Sequence, residues 1–349
     1  MLSRRKFIQE SNLIIMGSYL LPFIPADNDM EGMIMTVKGP IAAADLKFTL
    51  THEHIMVDFI GASSISKDRY DAVAVEKIAL PFLQAIKDKG CNSFVDCTPA
   101  YLGRDAALLQ RLSKASGLNI ITNTGYYGAA GEKYLPAQVF TETARQLAQR
   151  WIGEWKNGIE GTGIKPGFIK TGVDNAPLSA AQVKIITAAA ITHLQTGLTI
   201  AIHTGNGEAA KQQLDILKEH GVAPAARIWV HAQNEKDTAY HIEAARKGSW
   251  ISFDGVNAGS LDTNINFLQV MQQEGLLDQV LVSHDSGWYH VGEPNGGTFN
   301  NYQYILTHFI PALKKHGFTQ AAIDKIFITN PAKAFTIKIR KLVSRKDAQ

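Results

Sequence analysis

Residues 48–58 read Phe-Thr-Leu-Thr-His-Glu-His-Ile-Met-Val-Asp, an apolar run interrupted by His52, Glu53 and His54. Along a strand, side chains alternate between faces, so His52 and His54 look one way and Glu53 the other. Two imidazoles at one strand end can hold one side of a divalent cation. A His-x-His pair alone says little, because it arises by chance in many chains. Its weight comes from how later apolar runs end. Run 166–172 holds Lys170, a single lysine among apolar neighbours; run 199–204 holds His203, run 227–232 holds His231, and run 280–285 closes on His284 and Asp285. Each has an ordinary explanation: a satisfied polar histidine, a solvated rim lysine, an aspartate capping the next helix. Chance does not readily put such residues at the ends of five strands facing one mouth. Together they are the groups of a metal-assisted site. Alternation turns His284 away from the face that Asp285 occupies.

These side chains meet only if a scaffold gathers the ends of their strands. Eight β-branched, apolar runs are found, at 48–55, 93–98, 119–126, 166–172, 199–204, 227–232, 250–254 and 280–285. Between them lie stretches of helical period. Stretch 72–89 puts Val75, Ile78, Ala79, Phe82, Leu83 and Ile86 on one face, and 180–194 and 208–219 are spaced alike. Stretch 139–158 carries Trp151 and Trp155 four residues apart, which predicts core positions. Eight βα units with no Gly-x-Gly-x-x-Gly turn after the first strand predict an α/β fold, a closed (β/α)8 TIM barrel rather than a doubly wound sheet. Such a barrel carries its reactive groups at the C-terminal ends of its strands. His193, His220, His241, His308 and His316 fall in helical stretches and are expected to be structural.

The chain has 349 residues, 45% of them hydrophobic, and a formal charge of only +3, with no basic stripe interleaved with aromatics to bind nucleic acid. Cys91 and Cys97 share one strand, about 20 Å apart in extended chain, which excludes a bridge between them. Residues 1–26 form a separate unit: Arg4, Arg5, Lys6, Phe7 and Ile8 precede an apolar stretch at 13–24 and then Pro25-Ala26. This order resembles a twin-arginine export signal and predicts a periplasmic or extracytoplasmic location for one barrel domain over 27–349. The apolar stretch is too short for a stable membrane span. Ile24, standing where a small residue is expected before the cut, leaves retention as an anchor open.

Taken together, Thr-His-Glu-His at 51–54, Gly-Phe-Ile-Lys-Thr-Gly at 167–172, Ile-Ala-Ile-His-Thr-Gly at 200–205, Val-His-Ala-Gln-Asn at 230–234 and Leu-Val-Ser-His-Asp at 281–285 resemble the phosphotriesterase family of the amidohydrolase superfamily. Gly103-Arg104-Asp105 and the segment 328–335 add to the likeness, which spans about 33–335. The resemblance implies two divalent ions. His52, His54 and Asp285 would hold the more buried one, His203 and His231 the more exposed one, and a carbamylated Lys170 would bridge both. Zn2+ is the default for this donor set, with Mn2+, Co2+ or Fe2+ open. Two close cations need a bridging anion, which an ammonium cannot supply and a carbamate can. Water held between them is acidified to a hydroxide nucleophile, the exposed ion polarises a carbonyl or phosphoryl oxygen, and Asp285 is the catalytic proton acceptor.

That chemistry predicts a hydrolase of small-molecule esters, lactones or phosphoesters, with lactones and carboxylic esters first and organophosphate triesters as a side activity. Tyr127 looks like the tyrosine that follows the third strand in lactonase relatives. Those relatives place an arginine directly after the aspartate of the seventh strand; here Gly255 follows Asp254, which weighs against quorum-signal lactones. Segment 286–297 is long and glycine-rich and reads as a lid, with Trp288, Tyr289 and His290 as substrate contacts and Glu293 nearby. Two other readings stay open: a binding barrel without turnover, and a mononuclear deaminase-like enzyme in which Lys170 is spare. A homodimer is the assembly expected from frequency alone.

Overall fold

The structure, a computed structural model, describes residues 30–342, so the export-signal residues 1–26 lie outside it. An antiparallel hairpin, Met33–Thr36 with Gly39–Ala42, opens the described chain. The first barrel strand, Thr49–Val57, is buried at all nine positions, as a strand covered on both faces must be. Ser93–Asp96 and Asn119–Ile121 follow, the latter resuming after Thr122 as Asn123–Thr124. Then come Phe168–Gly172, Ile200–His203, Arg227–Val230, Trp250–Phe253 and Val280–Val282. Neighbours pair in parallel from the first to the third strand and again from the resumed third strand to the eighth.

The seam between the eighth strand and the first uses the turn after the eighth strand rather than a regular ladder. Asp285 N–H donates to His52 O at 3.0 Å and His54 N–H to Ser286 O at 2.9 Å. The eight strands of the expected (β/α)8 barrel are therefore present, most of them stopping sooner than their apolar runs. The chain leaves the ladder where it turns functional residues into the mouth: His231 and Asp285 both adopt left-handed backbone, with φ of +62° and +59°.

Two expectations need correction. Stretch 139–158 is not one helix: a short helix, Gln138–Thr141, gives way to Ala144–Asn157. The reason is a capping box, in which Thr143 caps the Gln146 N–H and the Gln146 side chain caps Thr143. Trp151 and Trp155 are buried on the second helix as expected. Segment 286–297 does not begin as a loop. Gly287–His290 is a strand that pairs in parallel with the first, Gly287 opposite His54 and His290 opposite Val57.

The helices pack outside the strands. Ala72–Asp88 starts on Asp71, whose carboxylate accepts the Val73 N–H at 2.9 Å, and buries Val75, Ala79, Leu83 and Ile86. Inside, Phe168 lies two residues before Lys170 and Ala201 two before His203, so by alternation they fill the barrel beneath the site. Phe335 closes that layer, its ring 5.6 Å from Phe168. Cys91 and Cys97 are buried free thiols. His193 and His241 make backbone contacts, at 2.8 Å to Leu198 O and Ala232 O. Among the described residues no helix is long and apolar enough to cross a membrane.

Candidate metal centre

Four imidazoles meet at the C-terminal mouth. Ring centroids of His52 and His54 are 5.3 Å apart, those of His52 and His231 4.9 Å, and those of His203 and His231 4.4 Å. Asp285 Oδ1 stands 3.1 Å from His54 Nε2 and 3.6 Å from His52 Nε2. Lys170 reaches the same cavity with its side chain buried, and its Nζ has no hydrogen-bond partner among the described residues. Two glycines let the backbone come this close. A Cβ on Gly125, at φ +116°, would stand 2.2 Å from Lys170 O, and one on Gly172 would meet the Tyr127 ring at 2.8 Å.

Each histidine is oriented through its far nitrogen. His52 Nδ1 is 3.1 Å from Asp254 Oδ2, His231 Nδ1 2.6 Å from Asp254 Oδ1, His54 Nδ1 2.7 Å from Thr98 Oγ1 and His203 Nδ1 3.0 Å from the Tyr127 hydroxyl. Asp254 can only accept, so it assigns the proton to Nδ1 on His52 and His231 and leaves their Nε2 lone pairs facing the cavity. This is the outer hydrogen bonding that metal-ligating histidines show. Burial, and then the Lys170 charge, push His52 down to about 3, so its ring is neutral. Burial, His231 and Lys170 together hold His203 well below the usual range. For Asp254, burial would raise the carboxyl, but His231 and His52 overcome it and keep it well below the usual carboxylate range. Asp285 is held low in the same way by His52, His54 and His231 against its burial.

A cation fits this donor set. Asp285 Oδ1 forms no aligned hydrogen bond although His54 Nε2 is 3.1 Å away, so two lone-pair atoms face one point. That is the spacing of ligands bonded at about 2.0–2.2 Å to a shared ion. The ligand atoms of His52, His54 and Asp285 lie within 4.8 Å of one another. His52, His231 and Asp254 are equally close, but through the Nδ1 contacts already satisfied as hydrogen bonds.

All six residues expected as ligands, His52, His54, Lys170, His203, His231 and Asp285, line one cavity of about 160 Å³. Tyr127 lines it too, though its hydroxyl is spent on His203. Trp288 forms a wall, its Nε1–H donating to Asp285 O at 3.1 Å and its ring 5.2 Å from His54. Tyr289 does not face the site. Alternation on the strand Gly287–His290 turns it into the core, where a Cβ on Gly296 would come within 2.2 Å of its ring. His290 points to the same side as Trp288 but lies beyond the cavity lining, against Phe59 at 5.7 Å and near Glu293 at 3.8 Å. Asp254, Thr98, Phe59 and Tyr134 were not among the expected site residues. Asp254 had a signal, a carboxylate closing the apolar run 250–254.

The phosphotriesterase family model matches residues 32–335, nearly the whole described chain. The chain belongs to the phosphotriesterase family. It is 31% identical over 293 residues to the phosphotriesterase homology protein of Escherichia coli, covering 82% of this chain and 97% of that one. An N-acetyltaurine hydrolase of Xenopus tropicalis is 27% identical, covering 89% of this chain and all of that protein. Among solved structures, a mutant PTE-like lactonase of Deinococcus radiodurans superposes with a TM-score of 0.78 at 29% identity, over 86% of this chain and 99% of that chain. Within this phosphotriesterase frame, the missing arginine after Asp254 has a structural counterpart. A Cβ at Gly255 would stand 2.7 Å from Gln233 Nε2, so the Gln233 side chain occupies that space.

Proposed function

We propose that this protein is a binuclear metal-dependent hydrolase of neutral carboxylic esters and lactones, with slower action on neutral phosphotriesters. The observation that carries the proposal is the Lys170 amine, buried without a partner among four histidines and an aspartate. An isolated ammonium there costs several kcal/mol, whereas the carbamate formed when the neutral Nζ amine adds dissolved CO2 and releases a proton to solvent is an anion with two ligating oxygens. His52, His54 and Asp285 would hold one cation, His203 and His231 a second, and a carbamylated Lys170 would offer an oxygen to each. When bound, two divalent ions, Zn2+ by donor type, supply Lewis acidity that polarises the scissile carbonyl or phosphoryl group and lowers the pKa of water. Asp285, kept ionised by its neighbours, accepts the proton of the attacking water. Phe59, Tyr134 and Trp288 wall off solvent and pack on the apolar part of the substrate.

The lining supports the choice of substrate class. Val57, Phe59, Pro99, Leu102, Tyr134 and Trp288 are apolar or aromatic, and among the described residues no lysine or arginine but Lys170 lines the cavity. N-Acetyltaurine carries a sulfonate that this lining has no cation to meet, while lactones, alkyl or aryl esters and phosphotriesters are neutral. The test is a panel of metal-loaded turnover: lactones, aryl esters, a dialkyl aryl phosphate and N-acetyltaurine. The highest kcat/KM is expected on a lactone or ester. Fast turnover of the phosphate or of N-acetyltaurine, with none on lactones and esters, overturns the assignment.

A further inference from the structure

Glu53, the middle residue of the His-x-His pair, faces away from the metal centre and ends in the seam between the first and eighth strands. It is fully buried. Its Oε1 accepts from Ser283 Oγ at 2.7 Å, from His284 N–H at 3.0 Å and from His284 Nδ1 at 2.7 Å; its Oε2 accepts from Ser286 N–H at 2.9 Å. Every donor lies in 283–286, the turn that carries Asp285. His284 Nε2 accepts the Ile305 N–H at 2.9 Å, which places the other ring proton on Nδ1, facing Glu53. Ser283 Oγ also accepts from His52 N–H at 2.9 Å, so one carboxylate ties the ligand strand to the turn.

Asp285 needs such a restraint. It sits at φ +59°, a conformation that costs a non-glycine residue about 1–2 kcal/mol. Its own backbone is held at the N–H, which donates to His52 O at 3.0 Å, and at the carbonyl, which accepts from Trp288 Nε1–H at 3.1 Å, and neither bond fixes its neighbours in the turn. We infer that Glu53 is a positioning residue, a clamp that fixes the 283–286 turn so that the Asp285 carboxylate stays against His52 Nε2 and His54 Nε2. The inference rests on the reading of Asp285 as metal ligand and proton acceptor.

The substitution Glu53→Gln keeps the volume but sets an amide NH2 against donors of the turn, breaking the contact with Ser286 or those with Ser283 and His284. The test is a double-mutant cycle of Glu53→Gln and Asp285→Asn, read as Zn2+ affinity by competition with a chromophoric chelator and, separately, as kcat and KM on an ester. Glu53→Gln is expected to weaken Zn2+ binding by about tenfold or more and to lower kcat with KM unchanged. In the Asp285→Asn background it is expected to change Zn2+ affinity by less than about twofold, because its effect runs through the missing carboxylate. An equal loss in both backgrounds, or wild-type Zn2+ binding in Glu53→Gln, overturns the inference. Wild-type Zn2+ binding and turnover in Asp285→Asn alone overturns the reading of Asp285 instead. Should Glu53→Gln not fold, Ser283→Ala, which removes one donor from the clamp, replaces it in the cycle under the same criteria.

Discussion

A partnerless amine and an over-committed carboxylate define the site at the scale of single residues. Lys170→Met removes the amine but keeps an apolar stem, so the metal-free fold is expected to be as stable as the wild type or more so, because an unpaired buried charge is gone. The same variant is expected to keep less than half of the wild-type metal; element analysis after desalting, with thermal unfolding of the metal-free forms, checks both. Asp254 accepts from His52, His231, Ser252 and Gln233 at once. In Asp254→Asn one ring loses its acceptor, and Zn2+ affinity is expected to fall about 10–100-fold in chelator competition. The residues proposed as ligands stood out in the sequence because each is a titratable type at the end of an apolar run. Asp254 was less so, since its role shows only when two distant strands bring His52 and His231 to its two oxygens.

Among the elements, the strand Gly287–His290 decides which aromatics reach the mouth. Trp288 lines the cavity and Tyr289 is turned into the core, because strand alternation operates in a stretch whose glycines read as a loop. Gly287 is what lets this strand lie against the first: a Cβ there would stand 1.9 Å from His54 O and 2.2 Å from the Tyr302 hydroxyl, and its φ is +101°. Gly287→Ala is therefore expected to destabilise the fold by about 2–4 kcal/mol, measured as a drop in the urea midpoint. On the helix Ala180–Thr196, buried His193 accepts the Arg340 N–H at 2.9 Å and pins the C-terminal segment. Burial pushes His193 down to about 4 from its ordinary 6.5. The unfolded or undocked chain then binds the proton first, so this contribution is present above about pH 6.5 and is lost as pH falls toward 4, up to about 3 kcal/mol. Protection of the Arg340 amide against hydrogen exchange is expected to fall over that window, faster than that of mid-helix amides, and constant relative protection contradicts it.

For the whole molecule, the barrel was legible because eight apolar runs alternate with helical stretches, a pattern that local propensity and burial both enforce. The manner of closure was not. The first and eighth strands meet through backbone bonds of the 285–286 turn and through Glu53 and Ser283 rather than through a regular ladder, and none of these leaves a periodic trace. The N-terminal segment belongs to this scale too. We propose that it directs the folded protein across a membrane, and a reporter fused to residues 1–30 is expected to be exported with Arg4-Arg5 and retained when both are lysine; export of both versions contradicts the twin-arginine route.

The central claim, a binuclear centre bridged by a modified Lys170, is met most directly by a crystal structure of protein loaded with Zn2+ and bicarbonate, with anomalous scattering to locate the metal. Two metal peaks, one among His52, His54 and Asp285 and one at His203 and His231, with planar density extending from Lys170 Nζ to both, are the predicted result. One peak or none, with a bare amine on Lys170, would contradict it.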